Sequence, residues 1–466
     1  MKIRDEYRQK FAPILKALRD HQASLAAIPD LVIARPGFDP SEDALVPALV
    51  LAFRPPHRPS AVDYSKQFAV HTVEVEADPE EQLRASRSPG ATSALAQFLT
   101  AAPQSFAPAK HGNYARPTGA TAPRLDAVDE EMKLTIAASP DAGWPLLKEF
   151  LDVRARERLT VGMYQFTAPH IYKALLENLR HGKARLSIGL DPKPEPISGT
   201  GNKADDIYGP TILDRLERNL GPRFLFDWAS VGKGAAFTTA YHIKVAVADG
   251  ERFWLSTGNW QSSNLPPFDP VNAPGDLPPS FGSSYNREYH VVIEHKQLAS
   301  TYEKFLDYDR SLPSQFAQPA MERLPDLILP PEDPEELSFA PRRWHEPLRL
   351  ERKLKVQPLL TPDNYAPKVL AALQSATRKI YLQNQYISLN AQGDLKEFKD
   401  LVDALLERIE ARLDVRIIVR DFMQPEKFDL LYALGFPKDV FRVQKSCHAK
   451  LIVVDGRQAI VGSHNW

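Results

Sequence analysis

A spacing that occurs twice constrains this chain more than any other feature. His242-Ile-Lys244 is followed by Asp249 and then by Ser256-Thr257-Gly258-Asn259. His448-Ala-Lys450 is followed by Asp455 and then by Gly462-Ser463-His464-Asn465. In both copies Lys sits two residues after His, Asp seven and Asn seventeen (259 − 242 = 17; 465 − 448 = 17). The surroundings repeat as well. Ser139-Pro-Asp precedes one helical run and Thr361-Pro-Asp another, an offset of 222 (361 − 139) that also carries Tyr164 onto Tyr386. Such self-similarity implies two copies of one supersecondary unit, and the two motifs read as two halves of one active site.

Each copy alternates strand and helix. In the first, Leu134-Thr-Ile-Ala, Leu159 to Phe166 and Ala184 to Leu190 have strand character. Helical runs through Leu146, Leu147 and Phe150 and over His170 to Leu179 separate them. In the second, a strand begins at Leu354-Lys-Val, a helix runs through Leu370 and Leu373, and Lys379 to Ile387 is a strand. Leu401 to Leu413 is then helix and Asp414 to Val419 strand. The alternation implies parallel βαβ units. Tyr164 to His242 is 78 residues and Tyr386 to His448 is 62, so the first copy holds about sixteen more. They are expected within 196 to 238, as loops with Gly199, Gly201, Gly209, Gly232 and Gly234 around a short helix, Ile212 to Leu220. Rim loops are where substrate selection usually resides.

The rest of the chain carries no chemical spacing. Residues 5 to 26 place Phe11, Ile14, Leu15, Leu18 and Leu25 on one helical stripe. Leu31-Val-Ile, Ala44 to Phe53 and Phe68 to Val75 read as strands, giving a small α+β module of structural or accessory character. Residues 88 to 125 are rich in Ser, Pro, Ala, Thr and Gly around a helical piece, Ser93 to Leu99, and residues 312 to 345 are rich in Pro and acids. Both are linkers. The expected division is 1–85 accessory module, 86–130 linker, 131–311 first half, 312–350 linker and 351–466 second half. Lys plus Arg is 58 and Asp plus Glu is 59, so there is no global basic signature for nucleic acid, although a locally basic cleft stays compatible with this balance. The single Cys447 excludes an internal disulfide. The start, Met1-Lys-Ile-Arg-Asp-Glu, has no apolar signal run, and Ala44 to Phe53 is too short to span a bilayer and contains Pro47. A cytoplasmic protein is expected, with transient contact to a membrane surface allowed and secretion without a cleaved signal left open.

Strand alternation places His242 and Lys244 on one side, and Tyr241 and Ile243 on the other. A hairpin after Asp249 would return Asn259 beside His242, and Asp455-Gly456 favours a tight turn in the second copy. Histidine can attack phosphorus or move a proton near neutral pH. Lysine and asparagine donate to phosphate oxygens whose charge grows in the transition state. Two histidines can split the work, one attacking and the other protonating the leaving group. Two lysines supply the positive charge, so no metal or other cofactor is required. Cys447 adjoins His448 but falls on the opposite strand face, which favours packing. His170, His181, His290, His295, His345 and His464 read as structural. Arg287 binds a phosphate or pairs with a carboxylate. Tyr164 and Tyr386 either line the cleft or pack in the core.

The repeated His-x-Lys, four residues, Asp, six residues, Gly-Ser-x-Asn pattern resembles the phospholipase D superfamily. The second copy matches at His448, Lys450, Asp455, Gly462, Ser463 and Asn465; the first matches at His242, Lys244, Asp249 and Asn259. The first departs at Ser256, where the family has glycine, and at Thr257, which replaces serine and keeps a hydroxyl. The resemblance covers about 133 to 466. It implies an α/β fold of two similar mixed-sheet α/β/α halves related by a pseudo-twofold, both motifs at their interface, and a covalent phosphohistidine. An internal pseudodimer of this kind needs no obligate homodimer. His242 is then the nucleophile and His448 the general acid, later the general base for water. Lys244, Lys450, Asn259 and Asn465 hold phosphate oxygens, and Asp249 and Asp455 support the site. Glu288, in Asn286-Arg-Glu288, orients a histidine. Thr257, Ser463, Tyr164 and Tyr386 are the further substrate-binding candidates. Only Trp466 follows Asn465, so the sequence is expected to be a fragment whose second half lacks a closing strand, helix and acidic partner and whose end is poorly tied down.

The leading substrate reading is a phospholipid headgroup ester, hydrolysed or passed to an alcohol. Phe226, Trp228, Trp254, Trp260 and Phe268 lie near the first motif in sequence and are candidates to meet acyl chains, with core packing as the plainer alternative. An endonuclease is the alternative, and mixed charges such as Lys203-Ala-Asp-Asp206 argue mildly against it. Phosphatidyl transfer of the cardiolipin-synthase type is a third reading. A degenerate scaffold protein is disfavoured because both His-Lys pairs are intact.

Overall fold

The computed structural model describes residues 3–78, 81, 82, 85, 86, 93–100, 112–119, 122–192, 206–277, 281–314, 343–389, 396–421 and 423–466. The expected loop glycines Gly199 and Gly201, and 315–342 of the expected second linker, lie outside these residues. At the amino-terminal end α1 (Asp5–Asp20) buries Tyr7, Phe11, Ile14 and Ala17 at helical spacing. It lies on a sheet of order β1-β2-β3, made by β1 (Leu31–Phe38), β2 (Pro47–Phe53) and β3 (Thr72–Glu76). The single helix expected over 5–26 breaks at His21, and one more turn, Gln22–Ala26, follows. The third strand starts later than expected. Asp63 caps a short helix, Tyr64–Phe68, by accepting the Lys66 N–H at 3.1 Å, and Ala69 ends it with φ +54°. Then α2 (Ala94–Thr100) is capped by Ser93, whose Oγ accepts the Ala96 N–H at 3.1 Å.

The first half runs β4 (Val128–Ser139), α3 (Gly143–Asp152), β5 (Arg158–Met163), α4 (Pro169–Arg180), β6 (Arg185–Leu190), α5 (Gly209–Leu220), β7 (Phe224–Trp228), β8 (Lys244–Ala248), β9 (Arg252–Ser256), β10 (Glu288–Glu294) and α6 (Lys296–Ser311). The second runs β11 (Leu348–Val356), α7 (Tyr365–Gln374), β12 (Lys379–Gln383), α8 (Lys396–Glu410), β13 (Asp414–Arg420), α9 (Pro425–Leu434), β14 (Phe441–Gln444), β15 (Leu451–Val454) and β16 (Gln458–Val461). The sheet orders are β11-β4-β10-β9-β8-β5-β6-β7 and β14-β13-β12-β15-β16. The order β7-β6-β5-β8-β9 of the first half thus recurs as β14-β13-β12-β15-β16. In both, three parallel strands meet an antiparallel hairpin. The fold is α/β with two similar mixed-sheet halves and a small amino-terminal module.

Three findings revise the sequence reading. First, β11 begins at Leu348 and joins the sheet of the first half, antiparallel to β4, rather than the sheet that follows it. In that pairing Glu131 faces Lys353, its own counterpart at offset 222 (353 − 131), as expected where a twofold axis crosses a strand pair. Second, the offset falls to 221 in the next strand. Val245 and Leu451 occupy the same motif position, and they face Gly162 and Gln383 (383 − 162 = 221). Tyr164 therefore matches Gln385, and Tyr386 is one residue out of step. A one-residue slip turns a side chain to the other face. Third, the extra chain of the first half is in two places. Residues 191–208 stand against 421–424, and 229–241 against 445–447, while the helix and strand between them are matched in both halves.

The amino-terminal module shares one core with the second half. Phe11, Leu49, Leu51 and Leu95 belong to the same cluster as Leu373, Leu405, Ile417 and Leu431. Arg35 pins the two together, with Nε on Glu81 at 2.6 Å and Nη1 on Asp429 at 2.8 Å. All three side chains are buried. Between the halves a smaller cluster joins Val245, Val247, Phe253 and Tyr302 to Leu354, Val356, Leu360 and Val461. Among the described residues no helix is long and apolar enough to cross a membrane.

Candidate active site

Both hairpins turn on Asp-Gly. Asp249 and Gly250 have φ +56° and +61°, and Asp455 and Gly456 have φ +54° and +70°, the signs of a type I′ turn. The Glu251 and Arg457 N–H groups close these turns at 3.0 Å on Ala248 and Val454. At the far ends of the hairpins lie the histidines. The ladders start at Lys244 and Leu451, so each histidine sits on the approach to its strand. The two-residue spacing lets each lysine fold back onto its own histidine: Lys244 Nζ donates to the His242 carbonyl at 3.0 Å and Lys450 Nζ to that of His448 at 2.6 Å. Lys450 Nζ also stands 3.5 Å from the Thr257 carbonyl of the other half. Both lysines are buried, 1% and 4% exposed.

The histidines have different partners. His242 Nδ1 bonds the Ser463 carbonyl at 2.9 Å, which requires Nδ1–H and leaves the lone pair on Nε2. His448 Nδ1 bonds the Glu288 carboxylate. Backbone pairing between the halves sets that contact: the Arg287 N–H bonds the Ser446 carbonyl at 2.8 Å, and the His448 N–H bonds the Arg287 carbonyl at 3.1 Å. Glu288 is fully buried and its second oxygen accepts the Thr257 hydroxyl, which itself accepts the Tyr289 N–H at 3.0 Å. The hydroxyl proton of Thr257 is thus committed to Glu288 in the interior. Gly258 lies flat against the same carboxylate, where an added Cβ would stand 2.5 Å from its carbon. Ser256, the departure from the motif, accepts the Gly258 N–H on its Oγ at 2.9 Å and steadies that turn. Tyr164 meets His242 edge-on, centroids 4.9 Å apart, and Lys244 Nζ lies 5.2 Å from its ring centre. Tyr386 instead carries Lys427 over its ring at 5.2 Å and packs against the large core.

Burial, followed by the charges of Lys244, Lys450 and His448, holds His242 well below the ordinary imidazole range. Burial, then Lys450, Arg420 and Lys244, does the same to His448. Burial pushes Glu288 up to about 7 against the pull of Lys450 and the Thr257 hydroxyl. Near neutrality His242 is therefore uncharged. The Glu288 carboxyl keeps its proton until about pH 7 and shares it with Nδ1 of a neutral His448, which leaves the ring's own proton on Nε2.

The remaining candidates fall into place around this pair. Asn259 donates to Gln165 Oε1 at 3.1 Å and to Gln261 Oε1 at 3.0 Å. The Oδ1 atoms of Asn259 and Asn465 are buried and have no partner among the described residues, which marks a place for a ligand group or water. The aspartates lie at the turns, away from the histidine ends of the strands. Asp249 accepts the N–H groups of Arg156, Glu157 and Arg158, and Asp455 those of Thr377, Arg378 and Lys379. Burial opposes ionisation of Asp249, but the Arg156, Glu157 and Arg158 N–H groups draw its pKa below the usual range, and those of Lys379, Thr377 and Arg378 draw Asp455 far down. Their geometry is that of struts. Arg287 pairs with buried Asp141 at 2.6 Å. Cys447 is buried, and burial raises its thiol pKa.

The other histidines hold structure. His290 bonds Ser139 Oγ at 2.7 Å, His170 the Leu265 carbonyl at 2.8 Å, and His295 Glu130 at 3.0 Å. His464 bonds Thr361 Oγ1 at 2.7 Å and stacks on Tyr365; burial takes it and His290 to about 4. The His345 N–H bonds Asp141 at 3.1 Å, and His181 is exposed at the end of α4. Trp254 and Trp260 are core residues, not groups facing lipid. Trp466 is also buried: its indole N–H bonds Tyr365 at 3.0 Å and its carbonyl accepts the Ser388 N–H at 2.7 Å, so the last strand is tied down. The Ser463 carbonyl escaped the sequence reading, because a backbone acceptor has no residue signature.

A family model described as the PLD-like domain of cardiolipin synthase matches residues 369–466, which include the whole second motif. Over residues 369–466 the chain is phospholipase D-like. Among solved structures, the chain is similar to Nuc, a phospholipase D family member from Salmonella typhimurium, at 14% identity over 40% of this chain and 94% of that one, with a TM-score of 0.26. It is similar to NucT from Helicobacter pylori at 16% identity over 38% and 96%, TM-score 0.28. It is similar to phosphatidylserine synthase from Haemophilus influenzae Rd KW20 at 13% identity over 69% and 76%, TM-score 0.43. No curated protein matches the chain.

Proposed function

We propose that this phospholipase D superfamily member cleaves phosphodiesters by a two-histidine covalent mechanism, and that its substrates are phospholipid headgroup esters. His242 Nε2 attacks phosphorus. The P–O bond to the headgroup alcohol breaks as the N–P bond forms, and the leaving oxygen takes the proton from His448 Nε2. Water then attacks the phosphohistidine, giving its proton to His448, and the P–N bond breaks to restore His242. An alcohol in place of water gives transfer. Lys244, Lys450 and Asn465 hold the non-bridging oxygens, where charge grows, and Asn259, whose amide N–H groups go to Gln165 and Gln261, joins them by turning its amide over. Glu288 supports the imidazolium form of His448, and Thr257 and Gly258 hold Glu288.

The observation that carries this reading is the unequal pairing of the two Nδ1 atoms, a carbonyl on His242 and a carboxylate on His448. It supports attack by one ring and proton transfer by the other. The test is headgroup release from phosphatidylcholine micelles, with ethanol present in one arm and a single-stranded oligonucleotide as competitor. Release of choline, with phosphatidylethanol in the ethanol arm, is expected, and both should be lost in His242→Ala and His448→Ala. Oligonucleotide cleavage without headgroup release would replace the lipid reading with a nuclease. Turnover surviving in both variants would remove the mechanism.

A further inference from the structure

His242 is held from two sides, and one short segment distant in sequence reaches both. On the side of the first half, residues 229–241 lead into the motif, where the second half has only 445–447. This loop is folded on itself. The Gly232 N–H bonds the Phe237 carbonyl at 2.8 Å, and the Phe237 N–H bonds the Ser230 carbonyl at 2.9 Å. It ends at buried Tyr241, whose ring lies 5.3 Å from that of Phe237 and whose N–H bonds Asp191 at 2.6 Å. On the side of the second half, the Ser463 carbonyl accepts the His242 Nδ1–H. His464, the next residue, is fixed by Thr361 Oγ1 at 2.7 Å and by the Tyr365 ring, stacked on it at 3.7 Å.

The segment is 112–119, part of the stretch expected to be a linker. Asn113 lies along the loop, with its N–H on the Ala235 carbonyl at 2.9 Å and its Nδ2 on the Gly234 carbonyl at 2.8 Å. Gly112 passes so close that an added Cβ would run into the Ala236 carbonyl. The Tyr114 ring packs on Phe237, centroids 5.5 Å apart, and meets Tyr308 of α6 edge-on at 6.1 Å. The Tyr308 hydroxyl donates to the Ala115 carbonyl. Arg116 Nε then reaches Asp363 at 3.3 Å, and the Asp363 side chain is 1% exposed. Asp363 lies between Thr361 and Tyr365, the two residues that fix His464. Residues 113–116 therefore link the loop ahead of His242 to the turn behind Ser463. A free linker behaves as a flexible coil, whereas this part of one is bound at both ends. His448 is held differently: its Nδ1 bonds Glu288, and residues 446 and 448 bond the Arg287 backbone directly.

We propose that residues 113–116 form a strap that positions the His242 ring for attack, with Tyr114 and Arg116 as positioning residues. The inference rests on His242 being the nucleophile. An attacking nitrogen must be aligned with the P–O bond that breaks, and a misplacement of about 1 Å can cost on the order of 100-fold in rate. Two supports on different halves stay aligned when they are fixed to each other. Tyr114 braces Phe237 and through it Tyr241, the residue before His242. Arg116 ties the same strap to the turn that holds His464, next to Ser463. Loosening the strap slows bond formation to phosphorus whichever alcohol leaves, because the proton donor is the other ring, held by other contacts.

The test is a single-turnover measurement on the full chain, with enzyme in excess over two esters of one phosphate. The esters are the 4-nitrophenyl and ethyl esters of phosphatidate or of thymidylate, whichever the wild type cleaves. The limiting rate should fall roughly tenfold in Tyr114→Ala and in Arg116→Ala, by the same factor on both esters. Tyr114→Phe keeps the ring and Arg116→Lys keeps the charge, so both should recover most of the rate. Partial unfolding would raise the half-saturating enzyme concentration and leave the limiting rate alone, so a structural loss reads differently from a positioning one. Limiting rates within about twofold of wild type in both alanine variants, or a loss confined to the ethyl ester, would overturn the strap. The His242→Ala variant separates the strap from the mechanism. If it keeps the wild-type rate, the nucleophile assignment falls and the strap with it. If it is inactive while Tyr114→Ala and Arg116→Ala are unimpaired, the strap alone falls.

Discussion

Gly258→Ala should disable the acid histidine without touching it. The new methyl carbon would lie 2.5 Å from the carboxyl carbon of Glu288 and 2.5 Å from its Oε1. Ordinary carbon contacts begin near 3.5 Å, so the carboxylate must withdraw by about an ångström. Glu288 is fully buried, and its two oxygens hold His448 Nδ1 and the Thr257 hydroxyl. A retreat of that size breaks both. Losing a charge-assisted hydrogen bond of this kind costs about 1.5–3 kcal/mol, which is roughly 10- to 150-fold in kcat. KM should move little, because the phosphate donors stay in place. Overpacking will also cost about 1–3 kcal/mol of stability, so kcat must be measured below the onset of unfolding by circular dichroism. Adding Glu288→Asp shortens the side chain by one methylene and should recover part of the loss. A Gly258→Ala enzyme within about twofold of wild type, or a double variant no better than the single, would refute the support assigned to Glu288.

Three further outcomes follow from the same geometry. The reaction should slow as pH rises through about 7, because the Glu288–His448 pair loses the proton the leaving group needs; His242, held below the imidazole range, stays neutral well to the acid side. A kcat/KM profile still rising above pH 8 would contradict this sign. Asp249→Asn removes an acceptor of three backbone N–H groups and should lower stability by roughly 1–3 kcal/mol in a urea titration. The folded fraction should keep kcat within about threefold, and a larger loss would make Asp249 more than a strut. Arg35→Ala leaves Asp429 and Glu81 buried without their cation and should cost about 3–5 kcal/mol, lowering one shared unfolding transition. Two separate transitions in calorimetry would show that the amino-terminal module folds independently of the second half.

The parts legible in the sequence are those set by local chemistry. Asp249-Gly250 and Asp455-Gly456 announce their turns, and the His-x-Lys spacing brings each lysine back onto its histidine. The alternation of strand and helix was readable for the same reason. What escaped depends on partners far away in the chain. Nothing near Arg35 indicates that it will face Asp429 across almost four hundred residues, so the module looked detached (429 − 35 = 394). Tyr386 looked like the twin of Tyr164 because the offset of 222 holds at Thr361-Pro-Asp. A single residue lost before β12 turns Tyr386 away, and only the pairing with β15 reveals it. Ser463 reads from the sequence as a substrate-binding candidate, whereas the structure shows its carbonyl bonding His242. Thr257 was noticed as a hydroxyl for substrate, and its proton instead holds Glu288.

The central claim is that His242 forms the bond to phosphorus and His448 moves the proton. It is tested most directly by acid-quenching the His448→Ala variant during turnover of a diester with a 4-nitrophenol leaving group, then locating the modified residue by mass spectrometry. Such a leaving group departs without a general acid, while water attack lacks its base, so the covalent species should accumulate. The account predicts phosphohistidine at His242 in that variant and none in His242→Ala. Modification at another residue, or steady release of 4-nitrophenol from His242→Ala at the wild-type rate, would contradict it.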